Sequence, residues 1–273
     1  MDIEVSKDEE AAQIKMGRPH VVILGAGASI ASFLKGDKNG KKLPSMLNFV
    51  DVLGLAPLLD KAGISHVDRN FEDIYDQIHK DPHLLSLRQK LEDVVYDYFK
   101  TLEISDTPTI YDHLVLSLRD KDAILTFNWD PFLVQAYRRN GMNGRGFKLS
   151  SLHFLHGNVK IGYCHKDKVT GVIGAACSHC GQRFKPSRLL YPISNKEYHL
   201  DEFISAQWND LDQLLKNAFM ITVFGYGAPK SDVSAIDLMK AAWGDKNERS
   251  LEQTEIIDIR SEDDLRATWE PFI

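Results

Sequence analysis

Val21-Val22-Ile23-Leu24-Gly25-Ala26-Gly27-Ala28-Ser29 decides the fold. Four apolar, mostly β-branched residues run into two glycines, and small residues then lead into an apolar stretch. That order describes a buried parallel strand, a tight turn and the start of a helix. The glycines let backbone approach a ligand with no Cβ in the way, and the helix start favours a phosphate. A dinucleotide fingerprint would place a third glycine at Ile30 and an acidic ribose ligand about twenty residues on. Asp37 is too early for that role and Asp51 falls in helical context, so the turn alone reads as a nucleotide turn, with a plain strand-to-helix connection as the alternative.

Working outward, 273 residues suffice for a sizeable core, read as one domain over 18–273 behind a polar tail, 1–17. The net charge of −6 implies no basic face for nucleic acid or anionic membrane. No run reaches the roughly 18 apolar residues of a membrane span, and the acidic start MDIEVSKDEEAAQ is neither signal nor transit peptide. Three cysteines within Cys164–Cys180 form no disulfide framework and suit a reducing, cytoplasmic compartment.

Further buried strands are expected at Ala123–Phe127, Ser151–Gly157, Phe219–Gly227 and Thr254–Arg260. Between the first two strands, about 44–106, apolar residues recur at spacings of three and four. MLNFVDVLGLAPLLDKAG, NFEDIYDQIH and LLSLRQKLEDVVYDYFKTL predict three helices inserted over the sheet. Thr107 is the expected N-cap of the next helix, with Pro108 at its first position. NGMNGRG (140–146) predicts a turn, residues 199–218 an amphipathic helix, and about 160–187 an irregular cysteine module. The fold class is α/β, a Rossmann-like parallel sheet with a helical insertion and a small zinc-ribbon-like module. The chain stops at Trp269-Glu270-Pro271-Phe272-Ile273, which reads as one domain of a longer protein with further domains or subunits, and an oligomer is compatible with it.

Ligands in such sheets sit at the carboxyl ends of the strands. Polar, pocket-type residues fall there: Asn128 and Asp130 after the second strand, His156 after the third, Gly225-Tyr226-Gly227 after the fourth. Asp258 ends the fifth, with a carboxylate suited to ribose hydroxyls. Singly, each has a plain alternative, such as helix capping for Asn128 and Asp130 or a core histidine for His156. Together, beside a glycine turn, they read as a site. Ser29 and the Gly25–Gly27 turn are expected on a pyrophosphate, so Gly27→Val is expected to abolish binding and leave the fold intact.

The ordered set Gly25-Ala26-Gly27-Ala28-Ser29, Thr126-x-Asn128-x-Asp130, Leu155-His156-Gly157, a cysteine module and Phe224-Gly225-Tyr226-Gly227 resembles the sirtuin (SIR2) family. The resemblance implies NAD⁺ as substrate, held at the glycine turns with Thr126 and Asp258, and cleavage of its nicotinamide–ribose bond. By similarity His156 is the general base, Asn128 holds the ribose or an attacking water, and Asp130 steadies the nicotinamide pocket. Sirtuin deacylases carry a glutamine where Phe127 stands, and a Phe-Gly-Glu segment that Leu190–Tyr198 lacks. In this the chain is more similar to divergent SIR2-like proteins that hydrolyse NAD⁺, many of them bacterial antiphage effectors. An NAD⁺-dependent deacylase and a non-catalytic nucleotide sensor are the other readings.

Sirtuins hold a structural zinc with two Cys-x-x-Cys pairs. Here Cys177 and Cys180 make one pair, but Asp167 stands where a partner of Cys164 is expected, and His165 and His179 are rival fourth ligands. Zinc accepts sulfur, imidazole nitrogen or carboxylate oxygen in a tetrahedral shell.

Overall fold

The computed structural model describes residues 6–8, 17–141, 148–194, 196, 198–245, 249 and 252–272. Most of the expected tail, 1–17, and most of the 140–146 turn therefore lie outside the described residues.

The five expected strands form one sheet. They are β1 His20–Leu24, β2 Ala123–Thr126, β3 Ser151–Phe154, β7 Met220–Phe224 and β8 Gln253–Ile257. The order is β3-β2-β1-β7-β8, with every pairing parallel. Side chains alternate across a strand, so β1 feeds two cores. Val22 and Leu24 join the core under the helical insertion, while Val21 and Ile23 join the core on the opposite face. The chain lays down β2 and β3 on one side of β1 and returns to place β7 on the other, so the order reverses at β1. Registers match Leu24 with both Thr126 and Phe224, and Thr126 with Phe154. Those four strand ends are level, and whatever follows each strand meets at one edge.

Helices cover both faces. After β1 come α1 Ala26–Ser32, then α2 Phe49–Leu53, α3 Ala56–Lys61, α4 Phe71–Lys80, α5 Leu85–Lys100 and α6 Ile110–Ser117. The first of the three expected insertion helices is in fact two. Gly54, at φ +67°, ends α2, and Pro57 sits in the first turn of α3. Thr107 is not the cap of α6. Thr109 Oγ1 accepts from the Asp112 backbone N–H, and the Asp112 carboxylate accepts from the Thr109 backbone N–H. Further helices are α7 Phe132–Gly141, α8 Glu202–Asn217, α9 Val233–Trp243 and α10 Glu262–Trp269.

The cysteine module is more regular than its sequence implies. Three strands, β4 Ile161–Cys164, β5 Val169–Val172 and β6 Lys185–Pro186, make a small antiparallel sheet in the order β5-β4-β6. Among the described residues, no helix is long and apolar enough to cross a membrane.

Candidate active site and metal centre

Two glycine turns, after β1 and after β7, pack backbone to backbone. A Cβ on Gly25 would lie 2.5 Å from the Gly225 carbonyl oxygen, and one on Gly27 would lie 2.8 Å from Gly225 Cα. Gly225 itself sits at φ +61°, and its own Cβ would lie 2.2 Å from the Ala28 nitrogen. The glycines are thus required by turn-to-turn contact. Gly27→Val breaks this packing, which corrects the expectation that such a protein keeps its fold. The Gly27 N–H donates to Gly225 O at 2.9 Å and the Gly25 N–H to Phe224 O at 3.0 Å. Ala26 lines the cavity at this edge and takes part in neither bond.

That cavity, about 250 Å³, is bounded by Gly25, Ala26, Gly225, Tyr226 and Gly227, and by Asn128, Asp130 and His156. The level strand ends bring these together. Asn128 and Asp130 project from the loop after β2 and His156 from the turn after β3. Gly27, Ser29, Thr126 and Asp258 lie elsewhere. Ser29 is buried and donates to Asp130 Oδ2 at 2.7 Å, with Tyr111 OH 2.6 Å from its hydroxyl. Asn128 Nδ2 donates to Gly25 O at 2.8 Å and to Ser29 Oγ at 3.0 Å. Thr126 Oγ1 accepts from the Asn128 amide at 3.0 Å. Asp258 is held by the Arg260 guanidinium at 3.0 Å. Ser29 and Thr126 therefore position Asn128 and Asp130, and Tyr111 completes that network. Its place there was beyond the reach of a helical pattern that marks it only as an inward residue.

Burial pushes Asp130 up to about 6, against the Ser29 bond that lowers it. Burial takes His156 down to about 4, with Asp232 opposing that shift and Lys196 adding to it. The imidazole is uncharged at neutral pH, with its lone pair unprotonated. Burial raises Asp232 too, but neighbouring positive charge outweighs it and keeps that carboxyl below its usual value. Phe127 stacks on Tyr226 at 4.0 Å and meets the His156 ring edge-on at 4.8 Å. Two polar atoms on residues lining the cavity, Trp129 Nε1 and His156 Nε2, are buried with no hydrogen-bond partner. Lys196, Asp232 and Glu72 also line the cavity. Asp232 was legible only as a residue before a helix, and Lys196 carried no signal.

In the cysteine module, donor atoms of Cys164, Asp167, Cys177 and Cys180 all lie within 4.8 Å of one another. Cys177 Sγ is 3.1 Å from Asp167 Oδ2, and Cys164 Sγ is 3.5 Å from both Asp167 Oδ2 and Cys180 Sγ. A tetrahedral zinc with bonds of about 2.0–2.3 Å needs ligand separations close to these. Three thiols and a carboxylate this close conflict when ionised, and a divalent cation removes the conflict. The donor set fits zinc, with Asp167 as fourth ligand. His165 turns instead to Glu202, 3.3 Å away. All three cysteines are free of disulfides.

No protein-family model matches the chain, and no curated protein matches it either. Among solved structures it is similar to a Sir2 homologue–NAD complex, at 12% identity over 98% of this chain and 96% of that one, with TM-score 0.41. It is also similar to Sir2 bound to acetylated peptide, at 14% identity over 97% and 98%, with TM-score 0.37. Likeness at this level assigns no residue a role.

Proposed function

We propose that this chain binds NAD⁺ at the edge where the two glycine turns meet and hydrolyses it to nicotinamide and ADP-ribose. The observation that carries this is the convergence of Asn128, Asp130 and an uncharged His156 on one cavity between those turns. Breaking the nicotinamide–ribose bond sends the bonding pair to nicotinamide and leaves positive charge on the ribose. The carboxylate of Asp130, ionised above about pH 6, steadies that charge. Asn128, anchored to Gly25 O, orients the sugar or the water. Water adds to the ribose carbon and His156 takes its proton, which passes to solvent, so NAD⁺ and water give nicotinamide, ADP-ribose and one proton. The buried Trp129 Nε1 adds a hydrogen-bond donor for a polar ligand.

Zinc would be held by Cys164, Asp167, Cys177 and Cys180 and would supply structure, since those ligands fill a tetrahedral shell. On this reading the activity would be toxic to a host cell, and we propose an antiphage effector acting in the cytoplasm under the control of other domains or subunits.

One observation favours NAD⁺-dependent deacylation as a second reading. A cavity of about 500 Å³ adjoins the first and shares Leu190 and Lys196 with it, offering a place for a peptide. Product analysis separates the two. Hydrolysis releases nicotinamide and ADP-ribose in equal amounts from NAD⁺ alone. Deacylation releases nicotinamide only with an acylated peptide and yields acyl-ADP-ribose.

A further inference from the structure

A buried ion pair stands beside His156 with no part in the hydrolysis described above. Lys196 Nζ donates to Asp232 Oδ1 and, at 2.9 Å, to Ser231 O. Tyr226 OH donates to Asp232 Oδ2 at 2.9 Å. The side chains of Lys196 and Asp232 are 2% and 5% exposed. Removing two charges from water this completely is costly, and apolar packing serves stability as well or better. Their position suggests a use. Asp232 Oδ1 lies 3.8 Å from His156 Nε2, the ring nitrogen that is buried without a partner.

A neutral imidazole carries one N–H, and the group facing each nitrogen selects which. A carboxylate beside Nε2 favours hydrogen there and leaves the lone pair on Nδ1. We propose that Asp232, fixed by Lys196 and Tyr226, is a positioning residue that holds His156 as its Nε2–H tautomer and steadies the imidazolium formed when Nδ1 takes a proton from water. The inference rests on the NAD⁺-hydrolysis reading. At 3.8 Å the contact is too long for a hydrogen bond and acts through the carboxylate's charge. Lys196 limits the carboxylate's pull, so that His156 stays uncharged between turnovers. Among the described residues, the other ionisable groups facing Asp232 are Tyr198, Tyr226 and, from α4, Glu72, whose own carboxyl is raised by burial and then by Asp232.

The test combines imidazole ¹⁵N spectra with pH–rate profiles for nicotinamide release. His156 in the wild-type chain, assigned by its loss in His156→Ala, should be neutral and protonated at Nε2 at pH 7. Asp232→Asn should lower kcat about 100-fold with little change in KM and move the acid limb of the profile to lower pH. Lys196→Met should move that limb to higher pH, and Lys196→Arg should restore it. Opposite displacements are not expected of a merely structural pair. An Nδ1–H tautomer in the wild type overturns the proposal, as do limbs that both stay or both move one way. Should Asp232→Asn fail to fold, the wild-type spectrum decides alone. Absence of nicotinamide release from every form would defeat the hydrolysis reading, while the spectra still report the tautomer.

Discussion

The cleft and the cysteine module sit side by side and are built on opposite principles. Around the cleft, four level strand ends of a sheet with a core on each face place Asn128, Asp130 and His156. The polar atoms of the Ser29–Asp130–Asn128–Tyr111 network satisfy one another, while Trp129 Nε1 and His156 Nε2 are left without partners. The module has three strands of at most four residues, and β5 and β6 contain no buried residue. Only β4 is buried, its Ile161 and Tyr163 packing into the core of the main sheet, and beyond that strand the dense feature is the cluster of four ligand atoms. Packing over-determines the first region, whereas the second depends on what its ligands hold.

The largest separation of the two should come from stripping the metal. Apparent zinc binding in small folded modules is worth about 10–16 kcal/mol, far more than strands this short contribute. Chelation, or Cys177→Ser, should open residues 161–186 to hydrogen exchange and proteolysis while β1, β2 and β7 stay protected. Metal analysis should show close to one zinc per chain before treatment, with Asp167→Ala losing it and His165→Ala and His179→Ala keeping it. Equal loss of protection in both regions would erase the contrast drawn here.

Asn128→Ala comes next. It removes the side-chain bonds to Gly25 O, Ser29 Oγ and Tyr111 OH inside a well-packed wall, so the fold should hold and nicotinamide release should fall about 100-fold or more. Combined with His156→Ala it should be little worse than His156→Ala alone, because both act on one step.

A smaller and subtler effect is expected from pH. His156 titrates at about 4 in the folded chain against 6.5 unfolded, so the stability it confers is lost as pH falls through that window. Asp130 titrates at about 6 against 3.8, so its contribution is present at low pH and lost as pH rises through its window. Between about pH 4 and 6 the two slopes oppose each other. Asp130→Asn should remove one of them. Its stability should rise with pH from 4 to 6.5 and exceed the wild type at pH 7 by about 1–3 kcal/mol, with turnover reduced. Chemical denaturation at several pH values checks this.

Much of this was legible in the sequence where local chemistry and global position agree. Val21–Leu24 could only be a buried strand, and the strand-to-glycine order carried Gly25, Asn128, His156 and Gly225 to one edge. Legibility failed where the partner is distant in sequence. Ser29 reads as a phosphate ligand until Asp130, 101 residues on, takes its hydroxyl. Gly27 reads as room for a ligand until Gly225 fills that room. Asp258 reads as a ribose ligand, though Arg260 holds it. Lys196 and Asp232 are ordinary surface letters, and only folding buries them together. Spacing brought Asp167 into the metal set, yet distances were needed to choose it over His165 and His179.

The central claim is that His156 is the base of an NAD⁺ hydrolase. The most direct test is the initial rate of nicotinamide release from NAD⁺ without peptide, for wild type and His156→Ala, in purified full-length protein and in cells expressing it. The account predicts release by the wild type matched by equimolar ADP-ribose, and a loss of two to four decades in a folded, NAD⁺-binding His156→Ala. Undiminished release by His156→Ala, or release that begins only when an acylated peptide is added, would contradict it.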